Sequence, residues 1–394
     1  MKTDRSVEDV FLIDGARTAI GSPFRGLKEL SAVDLAVVVI KELLRRNKIP
    51  AERIDEVILG NGVMAGLGQN PARQAAIAAG LPVSVPGITV SNACGAGLQS
   101  VILAAQSIIA GEFDCLLAGG TESASRSPYL VHKDVAHKKV SENLLDSLIS
   151  DGLWCSVSGR RMGELSDYLA REFSISRIKQ DAYAMESHLR AVRAESQGRF
   201  KREIVPVALS RGRVFKKDER PRKDIDLKSL QNLKPVFSAN GTATAASSSV
   251  PCDGAAVLVV ASKKFINTNK IKPKARILGY ASVAVSPEKV FAGSVYSIQA
   301  CLKNSRLSFK DVDLFEIDEA FATQAIFTSR ELKIPDEKIN LFGGDISLGH
   351  PLGAAGARIL VTLMHSLIDQ GKKKGIASVC LGGGGSLALA IEIL

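Results

Sequence analysis

Aromatic side chains are scarce in this chain: they make up 5% of its 394 residues, with a single tryptophan. That scarcity weakens any reading as a single-strand nucleic-acid binder, which needs aromatic faces for bases to stack on. The six cysteines, at 94, 115, 155, 252, 301 and 380, form no C-x-x-C and no other short spacing, so no metal site is expected. Scattered thiols in a long chain fit a reducing compartment, and a cytoplasmic location is expected. Met1 to Val10 carries Asp4, Glu8 and Asp9 and lacks the apolar core of a secretory signal. No stretch approaches a membrane span, so membrane insertion is not expected. The end Glu392-Ile393-Leu394 is not a peroxisomal address.

What the chain does hold is bulk, glycine and positive charge. Its length suits two or three domains. A hydrophobic content of 46% with 34 glycines fits a glycine-punctuated α/β enzyme rather than a disordered or fibrous chain. Lys and Arg number 51 against 41 Asp and Glu, a net charge of +10. That balance fits a phosphate-bearing partner, and on charge alone leaves nucleic acid and anionic membrane open. No zinc finger, aromatic RNA motif or basic helix supports nucleic acid, and none is expected as a partner.

The most informative stretch is Val90-Ser91-Asn92-Ala93-Cys94-Gly95-Ala96-Gly97-Leu98. Ahead of it, Pro86 to Val90 reads as a short buried strand. Behind it, residues 98–110 read as a helix apolar almost all round, hence buried, and closed at Gly111. Cys94 thus sits on a turn at a helix N-terminus, where free N–H groups and the helix dipole favour a thiolate. Taken alone, the favoured reading is a packed and inert core cysteine, since free cysteine is commonly buried.

Elsewhere strands and helices alternate. Phe11-Leu12-Ile13 is a strand, and Ser31 with Asp34 caps a helix running to about Arg46. Ile54 to Leu59 is a strand, Asn70-Pro71 opens a helix, and Asp114 to Gly120 is a buried strand. The alternation points to a layered α/β fold. From residue 122 the texture turns polar and basic, with His132, Lys133, His137, Lys138 and Lys139, and one long helix over 175–197. Residues 211–223 hold seven basic residues against two acidic, either a solvated surface or an anion cradle. Residues 122–249 read as an insertion.

The C-terminal part echoes the N-terminal part. Ile54 to Gly60 has its counterpart in Val312 to Asp318, and Asp114 to Gly120 in Ala377 to Gly383. The Cys94 turn and its helix answer to Gly349-His350-Pro351 and a helix from about Gly353 to Asp369. The expected organisation is a duplicated domain: 1–121 with 250–272 as one half, 122–249 inserted, and 273–394 as the other half. His350 on a glycine-rich turn is a candidate base. Cys380 precedes Gly382 to Gly385, where backbone N–H groups can face a ligand.

Four motifs occur in order: Asn92-Ala93-Cys94, Asp318-Glu319-Ala320-Phe321-Ala322, Gly349-His350-Pro351 and Cys380-Leu381-Gly382. Over essentially its whole length the chain resembles the thiolase family, the acetyl-CoA acyltransferases. The resemblance implies a duplicated αβαβα five-layered fold with an inserted loop domain. It implies that Cys94 is the nucleophile and forms an acyl-thioester, with His350 taking its proton. Cys380 would exchange the proton on the α-carbon. The backbone N–H groups of Cys94 and Gly382 would form one oxyanion hole, and His350 with a water held at position 318 the other. Coenzyme A would enter as substrate and product, with no permanently bound cofactor. Its contacts would fall on Leu153, Met162, Arg222, Ser229 and Ser249, with Arg222 near the phosphate end. A homodimer or homotetramer is expected.

The sequence departs from the family where Asp318 replaces the usual asparagine. A charge there opposes a developing enolate, so either Asp318 is held neutral, or turnover is slower, or the substrate differs. Arg161-Met162 stands where one subgroup has a His-Met pair, and Cys252-Asp253-Gly254-Ala255 where the family has Asn-Asp-Gly-Ala. Two alternatives follow. One is a thiolase-like acyl-CoA binder with weak turnover. The other is a condensing enzyme of the ketoacyl-synthase type, against which Cys380 speaks.

Overall fold

A computed structural model describes residues 6–133 and 143–394. Asp4, His137, Lys138 and Lys139, named above, lie outside them. The first half runs β1 (Val10–Thr18), α1 (Ala32–Asn47), β2 (Glu56–Gly60), α2 (Pro71–Ala79), β3 (Gly87–Val90), α3 (Ala96–Ala110) and β4 (Cys115–Ser123). The longer helices α4 (Met162–Glu172) and α5 (Arg177–Ser196) follow, before β5 (Asp253–Ser262). The second half runs β6 (Ala275–Ala284), α6 (Gly293–Asn304), β7 (Leu314–Ile317), α7 (Ala322–Leu332), α8 (Leu352–Asp369), β8 (Lys374–Leu381) and β9 (Gly385–Ile393).

The duplication is visible in the pairing. Strand order across the sheet is β7-β8-β9-β6-β1-β5-β4-β2-β3. In one half β1 pairs antiparallel with β5, β5 antiparallel with β4, and β4 parallel with β2. In the other, β6 pairs antiparallel with β9, β9 antiparallel with β8, and β8 parallel with β7. The two half-sheets join along a narrow seam, Phe11 opposite Arg276 and Leu12 opposite Ala275. Where β3 flanks β2, the second half has only an isolated parallel bridge between Phe315 and Ile339.

Local chemistry sets the boundaries. Ser31 and Asp34 cap α1 reciprocally, Asp34 N–H donating to Ser31 Oγ (3.1 Å) and Ser31 N–H to Asp34 Oδ2 (2.9 Å). Asn70 caps α2 just ahead of Pro71, and α3 stops at Gly111 with φ 80°. The helix expected over 175–197 is α5, whereas α4 was not foreseen. The strand expected to be buried before Cys94 is not. As the edge strand of the sheet, β3 is half-buried, with Ile88 48% exposed.

Three apolar clusters define the layers. Leu98, Val101 and Ile108 of α3 and Ile359, Leu360 and Leu363 of α8 pack together between the half-sheets. On one outer face, Leu35, Val39 and Leu43 of α1 meet Val57, Leu117 and Val257. On the other, Ile298 of α6 and Phe327 of α7 meet Phe315, Ile317 and Ile376. The result is helix, sheet, helix, sheet, helix, as the duplication requires. Position in the middle layer explains why α3 and α8 are so apolar. Contrary to the reading of the sequence, Ala93–Ala110 and Leu352–Asp369 are long and apolar enough to cross a membrane. However, 56% and 89% of these windows lie buried inside the protein.

The basic stretch 211–223 is tied down by its one buried acid. Asp218 accepts from Arg17 Nη1 and Nη2 (2.8 and 2.9 Å) and from Ile20 N–H (2.7 Å), while Arg17 Nε donates to Glu203 (2.7 Å).

In the middle layer α3 and α8 touch backbone to backbone. A Cβ on Gly356 would lie 2.7 Å from Leu98 Cβ and 2.8 Å from Leu98 N. Gly356→Ala therefore forces the two helices apart. The expected loss is about 1–3 kcal/mol of stability, read as a lower midpoint in chemical denaturation. Because residues 94 and 350 precede these helices, activity should fall with it.

Candidate active site

Each reactive side chain stands on a backbone held in an unusual shape. Cys94 lies in a short turn, Ala93–Gly95, that runs directly into α3. Ala93 takes φ 45°, a left-handed value that an alanine reaches only under constraint. The thiol is half-buried, and the first N–H groups of α3 lie around it without helical partners.

His350 follows Gly349, whose φ is 106°. A Cβ there would also come within 2.6 Å of Cys252 Sγ, so the position demands glycine twice over. The His350 N–H donates to Val250 O (2.9 Å), and Cys252 N–H donates to His350 O (3.1 Å). The imidazole is therefore pinned by the segment that leads back into β5. Cys380 stands near the end of β8, and Gly382 opens the turn to β9, in which Gly383 and Gly384 have φ 84° and 96°.

These residues meet. A cavity of about 370 Å³ is lined by Cys94, His350, Cys380 and Gly382, within the range of small-molecule sites. Ile149, Leu153, Met162, Phe237 and Phe321 make the rest of its wall largely apolar, with Ser249 and Arg161 also lining it. Of the sequence-derived coenzyme A contacts, Leu153, Met162 and Ser249 are on the cavity; Arg222 and Ser229 are not. The Arg222 N–H donates to His188 Nδ1 (3.2 Å), and the Ser229 hydroxyl donates to Asp226 Oδ2 (2.7 Å).

Asp318 lies behind the cavity, wholly buried. Its Oδ1 is 3.4 Å from His350 Nδ1, and its Oδ2 accepts from the Cys380 thiol at 3.7 Å. A second carboxylate, Asp345, places its Oδ1 3.4 Å from the same imidazole nitrogen. Its Oδ2 pairs with Arg358 Nη2 at 2.6 Å, and Arg358 Nη1 reaches Glu316 at 3.2 Å. Asp318, Asp345, Glu316 and Arg358 are all buried.

One guanidinium cannot keep three buried carboxylates ionised. Burial pushes Glu316 up to about 8, with Arg358 opposing. Burial likewise pushes Asp318 up to about 8, against the pull of His350 and with the help of Asp345. Burial would raise Asp345 too, but Arg358 outweighs it and holds this carboxyl well below the usual range. So Arg358 favours the charge on Asp345, while Asp318, without a cation of its own, is pushed towards its protonated form. Burial disfavours charge on His350, yet Cys94, Asp318 and Asp345 outweigh it and raise the imidazole well above its ordinary value. Burial, then Asp318 and Cys94, push the Cys380 thiol well up. The donor atoms of Asp318, Asp345 and His350 lie within 4.8 Å of one another, a grouping that could also hold a metal ion. Here Arg358 already supplies a compensating positive charge.

The neighbouring acids build the frame. Glu319 accepts from Tyr183 Oη (2.8 Å), Ser187 Oγ (2.7 Å) and Asn340 Nδ2 (2.8 Å), tying α5 to the loop that carries His350. Glu122 accepts from Gly62 N–H (2.8 Å) and Gly353 N–H (2.9 Å), tying the first half to the start of α8. Burial pushes it up to about 7. Asp345 and Arg358 escaped the reading of the sequence. The available signal was Arg358 itself, a lone cation in an apolar helix, which demands a buried anion.

Known proteins resemble this chain over nearly its whole length. The model of the thiolase N-terminal domain matches residues 10–264, and that of the thiolase C-terminal domain matches 271–393. A probable acetyl-CoA acetyltransferase of Escherichia coli (strain K12) is 43% identical over 391 residues, covering 98% of this chain and 99% of the relative. A probable acetyl-CoA acyltransferase of Staphylococcus aureus (strain COL) is 41% identical over 388 residues, covering 97% and 98%. The crystal structure of the Bacillus anthracis acetyl-CoA acetyltransferase superposes with a TM-score of 0.94 at 38% identity, covering 98% of this chain and 99% of that one.

Removing the shared guanidinium tests the electrostatics. Arg358→Met should cost about 3–5 kcal/mol at neutral pH, since buried carboxylates lose their partner. Asp345, with its depressed value, gives its stabilisation above the unfolded carboxylate range and loses it as pH falls. The deficit, measured by denaturant titration, should therefore shrink in acid.

Proposed function

The chain belongs to the thiolase family, and from that membership we propose an acyl-CoA C-acyltransferase that works through an acyl-enzyme on Cys94. It joins two acetyl-CoA or cleaves a 3-ketoacyl-CoA with free coenzyme A. The observation that carries this reading is the convergence of Cys94, His350 and Cys380, drawn from both halves, on one cavity. Cys94 gives its proton to His350 and its sulfur bonds to the acyl carbon, releasing the first thiol product. Cys380 then takes a proton from the incoming α-carbon in synthesis, and returns it in cleavage. The backbone N–H groups of Cys94 and Gly382 would receive the oxyanion, and both residues line the cavity.

The protonated Asp318 supports turnover despite the departure from asparagine. A neutral carboxyl, like a carboxamide, donates a hydrogen bond and brings no charge to the developing enolate. This favours an active enzyme over the weakly turning acyl-CoA binder. Cys380, where a ketoacyl synthase has a histidine or asparagine, favours a thiolase over that condensing enzyme.

Residues 122–249 serve in this proposal as the inserted domain that receives coenzyme A. Ile149, Leu153, Met162 and Phe237 all come from it and line the cavity. Ser249 joins them, with Arg222 and Ser229 kept as contacts further along the cofactor. Coenzyme A passes through as substrate and product, and no resident cofactor is required. Assembly into a homodimer or homotetramer is supported by the open edge of β3 with its exposed Ile88. Free cysteines throughout the described residues support a cytoplasmic location.

A coenzyme-A-dependent cleavage assay across acyl-chain lengths tests the proposal. Cys94→Ser should lose roughly 10³-fold or more in kcat. Cys380→Ser should still acylate Cys94 but stall before carbon–carbon bond formation, so that the acylated peptide accumulates in mass spectra. Full activity in Cys94→Ser would refute the scheme. Asp318→Asn should preserve or raise turnover. The wild-type rate should fall as pH rises through about 8, where Asp318 ionises, and the variant should lack that component. A large loss in Asp318→Asn would mean that the carboxylate itself is used.

A further inference from the structure

Two carboxylates face the same nitrogen of His350, and only one has a cation of its own. Asp345 lies 3.4 Å from Nδ1 through Oδ1 and 2.6 Å from Arg358 Nη2 through Oδ2. Asp318 approaches Nδ1 at the same 3.4 Å, but its other oxygen accepts from the Cys380 thiol. Arg358 therefore selects Asp345 as the ionised partner. The turn that carries the imidazole also fixes this acid, because Gly349 N–H donates to Asp345 O (2.9 Å). Ring and carboxylate, five residues apart, thus keep a set relation. The remaining groups facing His350 are Cys94 and Cys380 across the cavity, Glu122 from the end of β4 and Cys252 from the closing segment.

We propose that Asp345 is a positioning residue that completes a Cys94–His350–Asp345 relay, anchored from behind by Arg358. A carboxylate 3.4 Å from Nδ1, on an oxygen with no other hydrogen-bond partner, favours a proton on that nitrogen and leaves Nε2 as the one that serves Cys94. The Cys94 S–H bond breaks, its proton goes to Nε2, and its electron pair forms the bond to the acyl carbon. Asp345 takes no proton; its charge balances the imidazolium. The proton later leaves with the departing coenzyme A sulfur. The inference rests on Cys94 being the nucleophile of the proposed function. It adds a residue that no motif in the sequence pointed to.

Asp345→Asn keeps the shape and an acceptor for Arg358 while removing the charge. Iodoacetamide labelling of Cys94, followed by peptide mass across a pH series, reads the thiolate directly. At neutral pH the variant should be labelled several-fold more slowly than the wild type. The kcat should fall roughly 10²–10⁴-fold, with KM for acetoacetyl-CoA little changed. A labelling profile that superimposes on the wild type, even with a lowered melting point, would reduce Asp345 to a structural partner of Arg358 and overturn the proposal. Nitrogen-15 NMR of the unmutated protein gives a second test that needs no variant. Nδ1 of His350 should stay protonated while Nε2 alone titrates, and titration at Nδ1 would overturn it. Cys94→Ser run alongside keeps the two ideas separate. Activity surviving there would undo the acyl-enzyme scheme, whereas an unmoved Asp345→Asn profile undoes only the relay.

Discussion

One guanidinium governs the chemistry of this protein. Arg358 sits in an otherwise apolar helix of the middle layer and touches Asp345 and Glu316. An ion pair so deep is poor evidence for stability, because desolvation offsets most of its attraction. Its value here is in distribution. By satisfying one carboxylate fully and a second only weakly, Arg358 decides which acids are charged and which carry protons. A nucleophilic cysteine needs a base backed by negative charge, and an enolate needs a neutral donor. In the proposed scheme Asp345, held by Arg358, would meet the first condition, and Asp318, 3.4 Å from the same imidazole nitrogen, the second.

The duplicated architecture makes this arrangement possible. Each half contributes a turn ahead of a buried helix, and the two helices pack against each other between the half-sheets. Cys94 enters from one half, His350 and Cys380 from the other, and the cavity opens where they meet. The glycines between α3 and α8 set the distance between the halves, and so between the sulfur and the imidazole. Packing and chemistry are the same problem at this interface.

Much of this was legible in the chain. Periodicity and caps placed α1, α2, α3, α5 and α8, and the echo between halves matched β2 with β7 and β4 with β8; the correspondence of β1 with β6 and of β5 with β9 came only with the sheet pairing. Four short motifs marked Cys94, Asp318, His350 and Cys380 before any distance was known. What escaped was what depends on the surroundings of a residue rather than on the residue itself. Asp345 looked like part of a glycine-rich loop, because nothing local says that a guanidinium thirteen positions later will meet its carboxylate. The burial of β3 was overestimated, because an apolar run does not reveal whether its strand lies at an edge. The protonation of Asp318 was open in the sequence for the same reason: it follows from what crowds around it.

The short stitch between Val250, His350 and Cys252 has a consequence for anyone wishing to re-equip this scaffold. The segment that leads from the inserted region back into β5 is sewn to the backbone of His350, the proposed proton acceptor. Grafting a foreign loop region between β4 and β5 would preserve the five layers, yet a splice that fell inside 250–252 would let the imidazole drift. Recipients for such chimeras should therefore be cut upstream of that stitch, leaving the last few residues native while everything before them is exchanged.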